Sequence, residues 1–181
     1  MRPVRRGESI AERRQRRAAV DDPQVVLDAA LRFLEARSRS VAEVRRRLVG
    51  AGYRSALVDG AVERLLALGM LDDAAFARAW VESRDRARPR GEHALRQELR
   101  LKGIDASTID AVLEDRRGDD DAEAQVDERA AERLMERHRR ALERLDDPRV
   151  RRQRAYAILA RHGFDPSAAR DVARRIAAEL G

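Results

Sequence analysis

The sequence predicts an all-α protein built from small helical units. Ala, Leu, Arg and Glu dominate its 181 residues, and all four favour helices. Aromatic residues make up only 3% of the chain, so bulky side chains are too few for one thick core. No segment of useful length alternates apolar and polar residues as a β-strand does. We therefore expect several small helical cores along the chain.

Capping signals mark where the helices begin and end. Asp22 followed by Pro23 is an N-cap with proline in the first helical position. Ser40 and Glu43 have the spacing of a capping box, and the helix that they open ends at Gly52. Signals of this kind predict helices at about 23–37, 40–51, 55–68, 72–87, 91–101, 106–116, 121–145, 148–161 and 166–180.

The helix that starts after Asp72 carries a hydrophobic staple. Leu71 precedes the cap and Phe76 stands at the fourth helical position, which is the spacing that fixes the angle of chain entry into a helix. Asp72 and Asp73 could also form a pair of metal carboxylates. Capping accounts for both residues, because acidic side chains are favourable at a helix N-terminus, and we predict caps here.

Three glycines, Gly52, Gly103 and Gly163, mark an internal repeat. A leucine stands four residues before each glycine, and Tyr, Ile or Phe follows it directly. This pattern predicts a helix, a left-handed glycine cap and an apolar residue that enters the next helix. A further helix precedes each pair, so the unit has three helices and occurs three times.

The repeat divides the chain into an N-terminal segment and three modules. Stacked modules with small separate cores predict an elongated, curved molecule. We expect a flexible basic arm at 1–22 and three-helix repeats at 23–69, 70–117 and 118–181.

Positive charge is unevenly distributed. Residues 1–20 hold seven Arg and two acidic residues, a net +5 of the +6 carried by the whole chain. A second basic segment lies at 84–102, where charged side chains either pair with neighbouring acids or meet phosphates or an acidic protein surface. The candidate partner-binding residues are Arg84, Arg88, Arg90, Arg96, Arg100 and Lys102.

The sequence offers little catalytic chemistry. It has no Cys, which excludes a disulfide, a thiolate metal site and a Cys nucleophile. It also lacks phosphate-loop, dinucleotide-binding, zinc-protease and nucleophile-elbow motifs. His93, His138 and His162 stand apart in the sequence, as structural or solvated histidines do. We predict no enzyme activity, no metal site and no cofactor.

Other features bear on location and on nucleic-acid binding. No apolar run approaches the length of a membrane span, and the first 20 residues lack the apolar core of a secretory signal, so we expect a cytoplasmic protein. Helix–turn–helix proteins read the edges of DNA bases with Arg, Lys, Asn or Gln on the second helix of the motif. The corresponding helices here carry acidic residues and few basic or amide ones, so we do not expect sequence-specific DNA binding. The aromatic side chains fall on apolar stripes and are predicted core rather than base-stacking platforms: Phe33, Tyr53, Phe76, Trp80, Tyr156 and Phe164.

The residues around the predicted staple resemble the signature of the RecX family. The stretch Gly69–Ala77 resembles the family pattern of a glycine, two apolar residues, two acids and, after two further positions, an aromatic residue with Ala. A second family block corresponds to Leu95–Leu99, in which Leu95 replaces the usual Ile, and to Lys102–Ile104. The family's opening block resembles Ala30–Arg37 together with Ser40, Glu43, Leu48, Gly52 and Tyr53, so the match covers about 27–180.

The resemblance implies both a fold and a function. RecX proteins consist of tandem three-helix repeats. They bind in the groove of the RecA–DNA filament and suppress the ATPase, strand-exchange and coprotease activities of RecA, in DNA repair, recombination and the SOS response. On this basis we expect a monomeric, non-enzymatic regulator of RecA on single-stranded DNA, with a weak direct contact to the DNA as an addition. The alternative is a direct, non-specific nucleic-acid-binding protein, which the basic N-terminus favours.

Overall fold

The structure, a computed structural model, describes residues 8–117 and 123–180, and of these it describes 123–125 by their backbone only. Within these ranges the chain forms ten α-helices and no β-strand, which confirms the all-α class. The predicted start of a helix at 121 and the predicted repeat boundary at 118 lie outside the described residues. The helices are α1 (Ile10–Ala18), α2 (Pro23–Leu34), α3 (Val41–Ala51), α4 (Ser55–Ala67), α5 (Asp73–Ala87), α6 (Glu92–Lys102), α7 (Ala106–Arg117), α8 (Glu123–Glu143), α9 (Pro148–Arg161) and α10 (Pro166–Glu179).

Helix α1 lies where the sequence analysis predicts a flexible basic arm, and this is a correction to that prediction. Ser9 and Glu12 form a capping box: the Ser9 hydroxyl accepts from the Glu12 amide at 3.2 Å, and the Glu12 carboxylate accepts from the Ser9 amide at 2.7 Å. The helix packs on α3. Two of the free amides at its start are thereby satisfied and one face has a neighbour, which orders residues 10–18.

The first of two compact units ends at Phe76. Its core is formed where α2, α3 and α4 pack on one another. The apolar positions predicted by the helix patterns supply this core, as burying one face of each amphipathic helix requires. The buried residues include Val26, Ala30, Val44, Leu48, Val58, Val62, Leu65 and Leu71.

The start of α3 is held by residues from two helices. Ser40 and Glu43 form the capping box that the sequence predicts. The Asp73 carboxylate accepts a further hydrogen bond from the Val41 amide at 2.9 Å. Asp72 caps its own helix, since it accepts from the Ala75 amide at 2.8 Å. Both acids are therefore caps, but Asp73 caps a helix 32 positions earlier in the sequence.

All three anchor glycines of the repeat adopt the left-handed conformation. Their φ angles are +107° at Gly52, +83° at Gly103 and +76° at Gly163. An L-residue with a side chain is strained there, whereas glycine is not. The amides of the following residues, Tyr53, Ile104 and Phe164, each donate back to the leucine carbonyl that the repeat places five positions earlier.

The second unit begins at Ala77. In it α6 packs on α7, α7 packs on α8, and α8, α9 and α10 pack on one another. The core of the last three helices is rich in alanine and includes Ala130, Ala131, Leu134, Met135, Leu142, Ala155, Leu159, Phe164 and Val172. Small side chains of this kind let helix backbones approach closely.

A close contact between two glycines joins α6 to the α9–α10 turn. The Gly91 amide donates to the His162 carbonyl at 3.1 Å. A Cβ atom on Gly91 would lie 2.2 Å from the Gly163 carbonyl oxygen, and one on Gly163 would lie 2.5 Å from the Ala94 Cβ. Only hydrogen fits at either position, so these glycines set the distance between the second and third predicted repeats.

None of the helices within the described residues is both long and apolar enough to cross a membrane.

Candidate partner-binding surface

The Glu98 carboxylate on α6 organises a cluster of basic and aromatic side chains from α5 and the α5–α6 turn. One oxygen accepts from the Trp80 indole Nε1 at 2.8 Å and from the Arg84 Nε at 2.6 Å. The other oxygen lies 3.5 Å from the Arg90 Nε. One carboxylate therefore accepts hydrogen bonds from two side chains and forms an ion pair with a third, up to 18 positions away in the sequence.

Two cations also contact the Trp80 ring. The Arg84 Cζ lies 4.3 Å from the ring centroid, and the Lys102 Nζ lies 4.7 Å from it. Both distances are within the range of a cation–π interaction. We call Trp80, Arg84, Arg90, Glu98 and Lys102 the Trp80 cluster.

The Trp80 cluster corrects one expectation from the sequence. Trp80 is only partly buried and has polar and charged neighbours, so it does not belong to an apolar core. Phe33 and Tyr156 are only partly buried, but both pack against the apolar cores of their units. Tyr53, Phe76 and Phe164 are buried as predicted. The apolar periodicity that suggested a core position for Trp80 carries no information about Glu98, whose carboxylate comes from another helix.

The six candidate basic residues are divided by the structure into three groups. Arg84, Arg90 and Lys102 come together in the Trp80 cluster. Arg96 belongs to a separate group of ion pairs, because it binds Glu92 at 3.0 Å and also Asp110 on α7. Arg88 and Arg100 are exposed, and neither side chain has a hydrogen bond or ion pair with any residue in the described part of the chain.

For Arg96, the structure supports the first of the two alternatives from the sequence, in which a basic side chain pairs with neighbouring acids. Burial tends to raise the pKa of the Glu92 carboxyl, but hydrogen bonds from Arg117 and Arg96 outweigh burial and hold that pKa below its ordinary value. The pKa of the Arg96 guanidinium is raised by its hydrogen bonds to Asp110 and Glu92. Of the six candidates, Arg88 and Arg100 are thus the two whose charge is not paired within the described residues.

A largely buried network of ion pairs fixes the position of α5. Arg116 on α7 is 9% exposed and binds Asp85 on α5 at 2.9 Å and Asp127 on α8 at 2.8 Å. Burial would lower the pKa of Arg116, but the hydrogen bonds to the two aspartates outweigh it and raise that pKa. The network joins α5, α7 and α8, and so fixes the helix that carries Trp80 and Arg84. The sequence analysis did not single out any of these three residues.

Two of the three histidines line the same cavity. Among the described residues, no three His, Asp or Glu side chains are placed to hold a metal ion. His138 and His162 line a cavity of about 490 Å³ between α8 and α9. Burial, followed by the neighbouring His162, Arg154 and Arg161, lowers the pKa of His138. Burial, and then the neighbouring charged groups, thus favour the uncharged form of this ring, and the structural role of the histidines stays a prediction.

Comparisons with known proteins identify the family. The family model of the first three-helix domain of RecX matches residues 27–65, and that of the second three-helix domain matches residues 72–113. The regulatory protein RecX of Mycobacterium sp. (strain JLS) is 41% identical over 147 residues, which cover 78% of this chain and 76% of the relative. This chain belongs to the RecX family. The regulatory protein RecX of Chlorobium phaeobacteroides (strain BS1) is 33% identical over 155 residues, covering 86% of this chain and 95% of the relative.

Solved RecX structures have the same fold. A crystal structure of a regulatory protein RecX superposes with a TM-score of 0.72 at 23% identity, covering 86% of this chain and 74% of its own. The crystal structure of RecX from Lactobacillus salivarius superposes with a TM-score of 0.66 at 22% identity, covering 88% and 97%. The two matched RecX domains correspond to α2–α4 and α5–α7, and the Trp80 cluster lies in the second of them.

Proposed function

We propose that this protein binds the RecA filament on single-stranded DNA and suppresses ATP hydrolysis, strand exchange and coprotease activity by RecA, without catalysing a reaction itself. The observation that carries the proposal is membership of the RecX family, whose relatives here are named regulatory proteins. Binding in the groove of the filament is the mode that this family resemblance implies. The protein acts in the cytoplasm, as a monomer.

The surface that contacts the filament is proposed to be the α5–α6 face around the Trp80 cluster. Arg88 and Arg100 supply positive charge that is not paired within the described residues. In the Trp80 cluster, hydrogen bonds to Glu98 hold Trp80 and Arg84 in place. Arginine and tryptophan are the residue types most often found at the energetic centre of protein interfaces. A guanidinium without an intramolecular partner gains more from an acidic partner than Arg96 does, because Arg96 is already paired with two acids.

The experiment is a titration of RecA-catalysed ATP hydrolysis. RecA from the same organism is assembled on single-stranded DNA with ATP, and this protein is added up to a molar ratio of about one per RecA subunit. The rate of hydrolysis is expected to fall steadily with added protein. A rate that stays unchanged at that ratio contradicts the proposal.

A further inference from the structure

Two adjoining cavities follow the contact between α1 and α3. One has a volume of about 550 Å³ and the other about 250 Å³, and both are lined by Arg17, Arg47 and Ala51. No acidic side chain of the described chain lines either cavity. We call this feature the α1–α3 arginine groove, and its arginines are Arg13, Arg14, Arg17, Arg32, Arg46 and Arg47.

The groove exists because α1 lies directly on the end of α3. A Cβ atom on Gly52 would lie 2.8 Å from the Arg14 carbonyl oxygen, so the missing side chain admits the α1 backbone. The Arg17 guanidinium donates to the Ala51 carbonyl at 3.3 Å. This contact brings the basic side chains of α1 next to Arg46 and Arg47 on α3.

The arginines that line the groove differ from their neighbours on the same helices. Arg16 on α1 pairs with Glu8, and Arg45 on α3 pairs with Asp59. In the groove, Arg14, Arg32 and Arg46 make no side-chain hydrogen bond or ion pair with any other part of the described chain. Arg16 and Arg45 are thus neutralised by neighbouring acids, whereas these three groove arginines have no such partner among the described residues.

Two further groove arginines are held over aromatic rings. The Arg17 Cζ lies 5.7 Å from the Tyr53 ring centroid, and the Arg47 Cζ lies 5.6 Å from that of Phe33. A guanidinium over a ring keeps its N–H groups available at the ring edge while its position is restrained. The groove therefore brings several positive charges together, and two of them are restrained by aromatic rings. A ligand with several negative charges would relieve the repulsion between them.

We propose that the α1–α3 arginine groove binds the phosphate backbone of single-stranded nucleic acid. Guanidinium groups match phosphate oxygens in a bidentate geometry, and a row of them fits a chain of phosphates. No Asn, Gln or Lys of the described residues lines the groove, so binding is independent of base sequence. The two cavities lie between α1, α2 and α3 and hold about 550 and 250 Å³, so we expect them to take part of one strand, whereas a duplex would reach only the arginines at the rim.

This proposal goes beyond the regulation of RecA, because it concerns the protein and nucleic acid alone. It is tested by fluorescence anisotropy with a labelled oligothymidine of about 20 nucleotides and a duplex of equal length, without RecA, at about 50 mM salt. The test variant is Arg14→Gln, Arg32→Gln, Arg46→Gln, whose side chains have no hydrogen-bond or ion-pair partner among the described residues. The control variant removes the same charge from α4, α5 and α8: Arg64→Gln, Arg78→Gln, Arg140→Gln. Circular dichroism checks that both are folded.

The intact chain is expected to bind the single strand more tightly than the duplex. The test variant should weaken single-strand binding about tenfold or more and reduce the salt slope by about 2, since each phosphate contact on a single strand contributes roughly 0.7. The control variant should stay within about twofold of the intact chain.

Four results would overturn the proposal: no binding at low salt, tighter binding of the duplex, an equal loss in both variants, or equally good competition by polyglutamate, which would indicate an acidic protein partner. Inhibition of RecA is measured on the same samples. An intact chain that inhibits RecA but fails to bind DNA refutes this proposal and leaves the proposed function standing.

Discussion

Two acidic side chains, those of Asp73 and Glu98, each connect two helices of this protein. Asp73 caps α3 from the first turn of α5, and Glu98 joins α6 to Trp80 and Arg84 on α5. In each case the acceptor and the donors belong to different helices. A sequence pattern reads local spacing, so it predicts that Asp73 is a cap but not which helix it caps.

Replacement of Asp73 by Ala is expected to weaken the N-terminus of α3. The Val41 amide loses its acceptor, which costs about 1–3 kcal/mol for a partly buried hydrogen bond to a charged group. Amide hydrogen exchange, read residue by residue by NMR, should show faster exchange at Val41. The matched variant Asp72→Ala should instead affect the Ala75 amide, its own partner. Equal Val41 exchange in the Asp73→Ala variant and the unaltered protein would refute the assignment.

Replacement of Glu98 by Ala is expected to release the Trp80 cluster. Trp80 is the one tryptophan of the chain, so its fluorescence reports on this site alone. Loss of the acceptor should leave the indole more hydrated, with emission at longer wavelength and a stability loss of about 1–3 kcal/mol in urea unfolding. Glu98→Gln keeps an acceptor for the indole and should preserve more of the native emission. Identical emission for Glu98→Ala and the unaltered chain would contradict the observed geometry.

At the scale of helices, glycines determine where two elements can meet. The Gly91–Gly163 contact leaves no room for a methyl group on either residue. Gly91 has φ −70°, an ordinary conformation for any residue. Its requirement for glycine is therefore one of space, whereas Gly163 combines close contact with a positive φ of +76°.

The variant Gly91→Ala tests this contact without a change in backbone preference. The new Cβ would lie 2.2 Å from the Gly163 carbonyl oxygen, so α6 must shift, and we expect a loss of about 1–3 kcal/mol in thermal or urea unfolding. Gly60→Ala is the matched control, because Gly60 lies inside α4 with nothing within 4 Å of its added Cβ. That change should stabilise the protein by about 0.5–1 kcal/mol. Equal stability for Gly91→Ala and the unaltered chain would refute a steric role.

The sequence predicts elements much better than contacts between them. Capping signals and apolar spacing locate α2 to α7, α9 and α10 to within a few residues, because a helix end depends on local hydrogen bonds. Helix α1 was missed although Ser9 and Glu12 have capping-box spacing. The pairing of Arg116 with Asp85 and Asp127 could not be predicted, because it depends on how three helices pack.

At the scale of the whole molecule, the net charge is +6, and basic residues are paired with acids to different extents in the two units. In the second unit most basic residues near Trp80 share Glu98 or pair with other acids, and few charges remain for a partner. In the first unit the α1–α3 arginine groove has no lining acid within the described residues. Charge that is neutralised internally stabilises the fold, and charge that is not favours a partner of opposite sign.

The most direct test measures binding to RecA assembled on single-stranded DNA with a non-hydrolysable ATP analogue. The variant Arg88→Glu, Arg100→Glu changes the two candidate cations that have no partner among the described residues, and Arg64→Glu, Arg140→Glu makes the same charge change elsewhere. If the α5–α6 face contacts the filament, the first variant should bind about tenfold or more weakly than the unaltered chain, and the second should stay close to it. Full-strength binding by the Arg88→Glu, Arg100→Glu variant would contradict this assignment.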